Sequence, residues 1–122
     1  MKLNGLILFI TAITLGSILL VPFLLSGLIL SKSRNEYLLK IALTIDILGN
    51  VVGGPLFNRV LLKTTAYPFG SISDTISYVI AYNKHYGKLS KVGTLVGNIL
   101  DFLDPGHTDL TLQRTLRRKY IN

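Results

Sequence analysis

The sequence predicts an all-α protein: one N-terminal transmembrane helix followed by a small bundle of amphipathic helices. Three observations carry this. Residues 5–30 contain no ionisable side chain. Beyond them, apolar residues recur at intervals of three and four, the period of a helix face. The stretches between these repeats are rich in Gly, Pro, Ser and Asp, which break helices and build turns.

The totals agree. The chain has 122 residues, 49% of them hydrophobic and only 16% charged, with a mean hydropathy of +0.50. A typical soluble domain is roughly 25% charged. The apolar excess is concentrated in the first thirty residues, so the expected organisation is an anchor over 1–31 and a basic helical cytoplasmic region over 32–122. There is no cysteine, which excludes disulfides, thiolate metal sites and cysteine nucleophiles.

The first element spans Gly5 to Leu30, 26 residues. At 1.5 Å per residue it is about 39 Å long, against a hydrocarbon core of roughly 30 Å. Tilt or a bend at Pro22 would absorb the excess. A cleaved signal peptide would show about 7–15 apolar residues and a small-x-small site. The run here is longer, and SGLILS offers no such site, so an anchor is the stronger reading. Lys32, Arg34 and Lys40 follow the segment and Lys2 precedes it. The positive-inside rule therefore places residues 31–122 in the cytoplasm. Ala12 and Gly16 form a small-xxx-small pair, the spacing that lets two membrane helices approach closely.

The second element is a helix over 37–52, with Ile41, Ile45, Leu48 and Val52 on one stripe. Gly53-Gly54-Pro55 is expected to stop it, leaving a short helix over 56–63. A second crossing over 41–62 would carry Asp46 and Arg59 into lipid, at about 2.5–3.5 kcal/mol each near the bilayer centre. An amphipathic or re-entrant helix lying against the membrane or against other helices is favoured instead, with a two-crossing hairpin as the alternative. After a turn-rich connector at 64–73, Ser71 or Ser73 is expected to cap a third helix ending at Gly87, with Tyr78, Tyr82 and Tyr86 on one face. A fourth helix over 88–104 presents Leu89, Val92, Val96, Ile99 and Leu103 as a seam. Gly93 and Gly97 lie within it, and are best explained by another backbone passing close by. Asp104-Pro105-Gly106-His107 makes a turn. Thr108 is expected to cap a final amphipathic helix bearing Arg114, Arg117, Arg118 and Lys119.

The net charge is +7, and every basic residue except Lys2 lies after Leu30. Such a balance suits an anionic partner, either lipid headgroups or nucleic acid, and it is also what the cytoplasmic segment of a membrane protein ordinarily carries. Asp101, Asp104, His107 and Asp109 cluster within nine residues. Carboxylates beside an imidazole can bind a metal or transfer protons, but this spacing matches no metal motif, and pairing with nearby lysines is the plainer account. No P-loop, nucleophile-elbow or zinc-protease pattern occurs. The expectation is a non-enzymatic protein without a cofactor or metal.

One resemblance extends this reading. Asp46, Asn50, Gly53 and Gly54, then Asp74, Thr75, Ile76 and Ser77, then Gly106 and His107 after an apolar helix, stand in one order. Over roughly 46–122 this resembles a family of small tailed-phage proteins with the pattern D-x-x-x-N-x-x-x-G-G, D-E-T-[IL]-S-S-R and G-H-C, often described as putative membrane proteins. The chain departs from it at Ser73, Val79 and Thr108, where the family has an acid, an arginine and a cysteine. Nineteen residues also separate Gly54 from Asp74, more than the family pattern has. The resemblance implies phage origin and residence in the host inner membrane, and assigns no activity. Asp46, Asn50, Asp74, Asp104 and His107 are thus motif positions of unknown role. The expected contacts are membrane lipid, a second copy, or a host or phage membrane protein. A holin-like pore former is the principal rival. A tethered nucleic-acid binder using the basic tail and a metal-dependent hydrolase around Asp101, Asp104 and His107 stand behind it.

Overall fold

A computed structural model describes residues Leu3–Ile121, without the side chains of Leu3, Arg118 and Ile121. Five helices follow one another: α1 (Leu3–Leu30), α2 (Arg34–Val60), α3 (Ile76–His85), α4 (Lys91–Leu103) and α5 (His107–Ile121). The described residues contain no strand beyond an isolated antiparallel bridge between Leu62 and Leu89. The all-α expectation therefore holds. Two helices, over Asn4–Leu30 and Arg34–Val60, are long and apolar enough to cross a membrane by length and composition. The chain divides into two compact units, one up to Ile41 and one from Ala42.

In the first unit, α1 runs unbroken through Pro22. Three of its four hydroxyl residues turn back on their own helix: Thr14 Oγ1 donates to the Ile10 carbonyl (2.8 Å), Ser17 Oγ to Ile13 (2.7 Å) and Ser26 Oγ to Phe23 (2.8 Å). Polar groups satisfied this way need no water. Ser31–Ser33 turn the chain, the Ser31 N–H donating to the Gly27 carbonyl at 2.9 Å. The Tyr37 ring then fills the space above Gly27, where any Cβ would collide with it, and its hydroxyl donates to the Phe23 carbonyl at 3.4 Å.

In the second unit, α3 is the central element. Tyr78, Val79, Ile80, Ala81 and Asn83 are all buried, and Leu61, Phe69, Leu89 and Leu112 close around them. Thr75 caps this helix, accepting from the Tyr78 N–H at 3.1 Å; the expected caps Ser71 and Ser73 lie in the preceding turn. Gly87 has φ +65°, the left-handed conformation expected of a glycine just past a helix end. The tyrosine face is real but graded: Tyr78 is buried, Tyr82 half-buried and Tyr86 exposed. Tyr67 stacks in from the connector, with its centroid 4.9 Å from that of Tyr82.

Besides the cap of α3, three expectations need correction. Gly53-Gly54-Pro55 does not end α2, which continues to Val60, so there is no separate helix at 56–63. A proline inside a helix costs about 3 kcal/mol. Here the following turn is tied down from outside: Asn58 bonds both the N–H and the carbonyl of Phe69, and Phe57 packs edge-on against the Phe69 ring. Gly54 also lies against the Gly70 backbone, where a Cβ would come within 3.0 Å of the Gly70 Cα.

The α4 seam is split. Leu89 precedes the helix and is buried and Val96 packs against the core as expected, but Val92, Ile99 and Leu103 are exposed together with Leu95 and Phe102. Val96 and Leu100 share the inward face with the glycines: a Cβ at Gly93 would strike the Leu61 carbonyl, and Gly97 faces Ile80. Finally, Thr108 does not cap α5, which begins one residue earlier at His107. The Asp101 carboxylate accepts from the Thr108 N–H (2.9 Å) and hydroxyl (3.0 Å) and so takes the capping role.

Candidate functional site

The motif residues of α2 and of the loop before α3 meet in the second unit. On α2, Asp46 and Asn50 are one turn apart and face the segment 70–77. Asp46 Oδ1 accepts from the Ile76 N–H at 3.0 Å, and Oδ2 accepts from the Ser77 hydroxyl at 3.3 Å. A carboxylate at the first turn of α3 satisfies a free N–H and meets the positive end of the helix dipole. Asn50 is fully buried. Its amide donates to the Ser71 and Asp74 carbonyls, both at 2.9 Å, while its oxygen accepts from the Gly70 N–H at 3.1 Å.

Asp74 is also fully buried and joins the latch to α5. Lys119 donates to its Oδ1 at 2.6 Å and the Tyr67 hydroxyl to its Oδ2 at 2.7 Å. Burial pushes the Tyr67 phenol up from its ordinary value, and the hydrogen bond to Asp74 adds to this. Burial opposes the Lys119 charge, but the bond and attraction to Asp74 outweigh it and raise the ammonium above its usual range. The same ammonium lies 4.6 Å from the Tyr78 ring centroid, a cation–π distance. Burial pushes the Tyr78 phenol up too.

Two asparagines missed by the sequence reading complete the network. Asn83 accepts from the Tyr67 N–H at 2.9 Å and donates to the Tyr67 carbonyl at 2.7 Å; Asn58 holds Phe69 in the same two-point manner. Both stand inside helices, where asparagine is a poor helix former, and that mismatch was the available signal. Among the described residues, no buried side-chain nitrogen or oxygen lacks a partner. The chemistry of this cluster is therefore spent on the chain's own backbone. It is a latch that holds the 67–77 connector against α2, α3 and α5.

The other motif pair is separate. His107 Nδ1 lies 3.0 Å from Asp104 Oδ2 in an exposed turn. Asp101 points instead to Lys84 and Thr108. Burial pushes the Asp101 carboxyl up, but the bonds from Lys84 and Thr108 prevail and hold it below the usual carboxylate range. Among the described residues no three His, Cys, Asp or Glu side chains assemble as a metal group would require. In the tail, Arg114 and Arg117 are exposed, Lys119 is committed to Asp74, and the side chain of Arg118 lies outside the described residues. In α1, Ala12 is exposed and Gly16 has open space around it. Lys2 also lies outside the described residues.

Comparison of the chain with family models, with curated proteins and with solved structures found no match.

Proposed function

We propose that this is a phage-encoded, non-enzymatic protein of the host inner membrane. In this reading α1 crosses the bilayer, and the second unit is a folded cytoplasmic head that engages anionic lipid or a membrane partner. The observation that carries it is the contrast between the two apolar helices. Every residue described in the first twenty of α1 is exposed, although the helix is almost wholly apolar. Such a surface suits hydrocarbon as its solvent.

α2 has similar length but different surroundings. Asp46, Asn50 and Gly54 on one side of it are packed against the 70–77 loop, whose Gly70, Ile72 and polar Ser73 are exposed. Drawing α2 across a bilayer would carry that loop into hydrocarbon, where irregular backbone is not tolerated. Its other side bears Ile45, Leu48, Val52 and Leu56, all exposed. A helix apolar on one side and packed on the other suits the membrane surface. Lys32, Arg34 and Lys40 after α1 favour a cytoplasmic head.

The holin-like reading draws on the length and composition of α2, which meet the requirement for a second crossing. Topology reporters fused at residue 32 and after residue 121 separate the two. One anchor gives both reporters the cytoplasmic signal. Opposite signals would replace this reading with the two-crossing one. Deleting residues 2–30 is also expected to make the protein extractable from membranes by alkaline carbonate.

A further inference from the structure

The apolar row on α2 ends in a cation. Ile45, Leu48, Val52 and Leu56 are 63%, 59%, 73% and 62% exposed, and Arg59 falls at the next step of the same three-and-four repeat. Directly beyond them is a cavity of about 410 Å³, lined by Asn58, Arg59, Lys63 and Thr64 with Leu62, Ala66 and Pro68. Its wall holds two cations and a hydroxyl, and no carboxylate. The site is held by bonds already described on the loop side. Asn58 fixes the Phe69 backbone. The N–H of Lys63 donates to the Lys88 carbonyl and its ammonium to the Gly87 carbonyl, both at 2.9 Å. An ammonium has three donors, so Lys63 keeps two for a ligand. The planar fork of Arg59 matches two oxygens of a phosphate.

We infer that this cavity binds the phosphate of an anionic phospholipid headgroup, with the acyl chains running along the Ile45–Leu56 face of α2. The shared chemistry is a phosphate held by Arg59, Lys63 and Thr64. The headgroup is preferred over free phosphate because the cavity far exceeds one phosphate in volume and its wall includes Arg59, one helical step from exposed Leu56. The inference rests on the membrane reading above, but it can fail by itself.

The test uses the full chain in neutral detergent, offered phosphatidylglycerol, phosphatidylcholine or inorganic phosphate, with bound ligand counted by native mass spectrometry. The native protein should retain phosphatidylglycerol about thirtyfold over phosphatidylcholine, since each of the two cations at a headgroup contributes about 1 kcal/mol. Arg59→Gln with Lys63→Gln should bring the two lipids to parity, whereas Lys91→Gln, an exposed lysine outside the cavity, should leave the preference intact. Arg59→Lys keeps the charge without the fork and should lose part of it. A double variant that keeps the native preference for phosphatidylglycerol overturns the assignment. So does phosphate binding that depends on Arg59 and Lys63 without any preference between the lipids. Carbonate extraction keeps the two proposals apart: native protein that stays in membranes yet shows no lipid preference refutes the cavity alone, while native protein released by carbonate refutes the anchor.

Discussion

α1 and the connector at 61–75 both have to satisfy polar backbone and side-chain groups, and they do so in opposite ways. In α1 the helix satisfies its own amides, and Thr14, Ser17 and Ser26 return their hydroxyls to the preceding turn. The solution is local, and it leaves the whole surface free to be apolar. The connector has no helical ladder, so its amides are met one at a time by Asn50, Asn58 and Asn83 from neighbouring helices. That solution is non-local and dedicates side chains, Asn50 and Asn83 fully buried among them, to a single fold. A segment of the first kind tolerates substitution so long as it stays apolar; one of the second kind does not.

The sharpest test of this contrast is Asn50→Leu. It leaves two carbonyls and one N–H without their partner inside the second unit, each worth about 1–3 kcal/mol. The expected loss is about 4 kcal/mol by denaturant unfolding in detergent, against a change near zero for Gly16→Leu in α1, which has open space around it. Equal effects at the two positions would erase the distinction.

Next is the buried ion pair. Lys119→Met strands the Asp74 carboxylate, which is fully buried, and should cost about 3 kcal/mol, a figure moderated by the partial exposure of the lysine. Adding Asp74→Asn should recover part of that loss, because the remaining group carries no charge. A double variant no better than Lys119→Met would locate the cost in packing against Tyr78 instead. Gly93→Ala follows at about 2 kcal/mol, through the clash with the Leu61 carbonyl.

The smallest effects come with acid. The Asp101 carboxyl is held below its ordinary value, so its contribution is complete above the unfolded value of about 3.9 and fades as pH falls through the lower folded value. Asp101→Asn should lower stability at neutral pH and flatten the acid limb of the stability profile. His107→Ala, in the exposed Asp104 pair, should change stability by less than about 0.5 kcal/mol.

Much of the helical layout was legible in the sequence because it is a matter of local period and punctuation. Gly87 ends α3 where its conformational freedom is needed, and the uncharged run of α1 needs no partner to be recognised. What could not be read was set by contacts far along the chain. Nothing near Gly53-Gly54-Pro55 indicates that Phe69 will brace the next turn of α2. The close backbone approach at Gly93 was expected, but nothing near Val92 or Ile99 indicates that these two will face outward from α4. The order of Asp46, Asn50 and Asp74 was visible; their convergence depended on the path of the connector. Asp104 and His107 stayed adjacent as the sequence had them, apart from that cluster.

The glycine contact of α4 has a practical consequence. A helix seated through backbone on backbone cannot roll to hide its other side, and that side carries Leu95, Ile99, Phe102 and Leu103. Excised and placed in buffer, residues 42–122 would offer a sticky strip that no rearrangement of α4 could withdraw, so purification without amphiphile should yield aggregates rather than monomer.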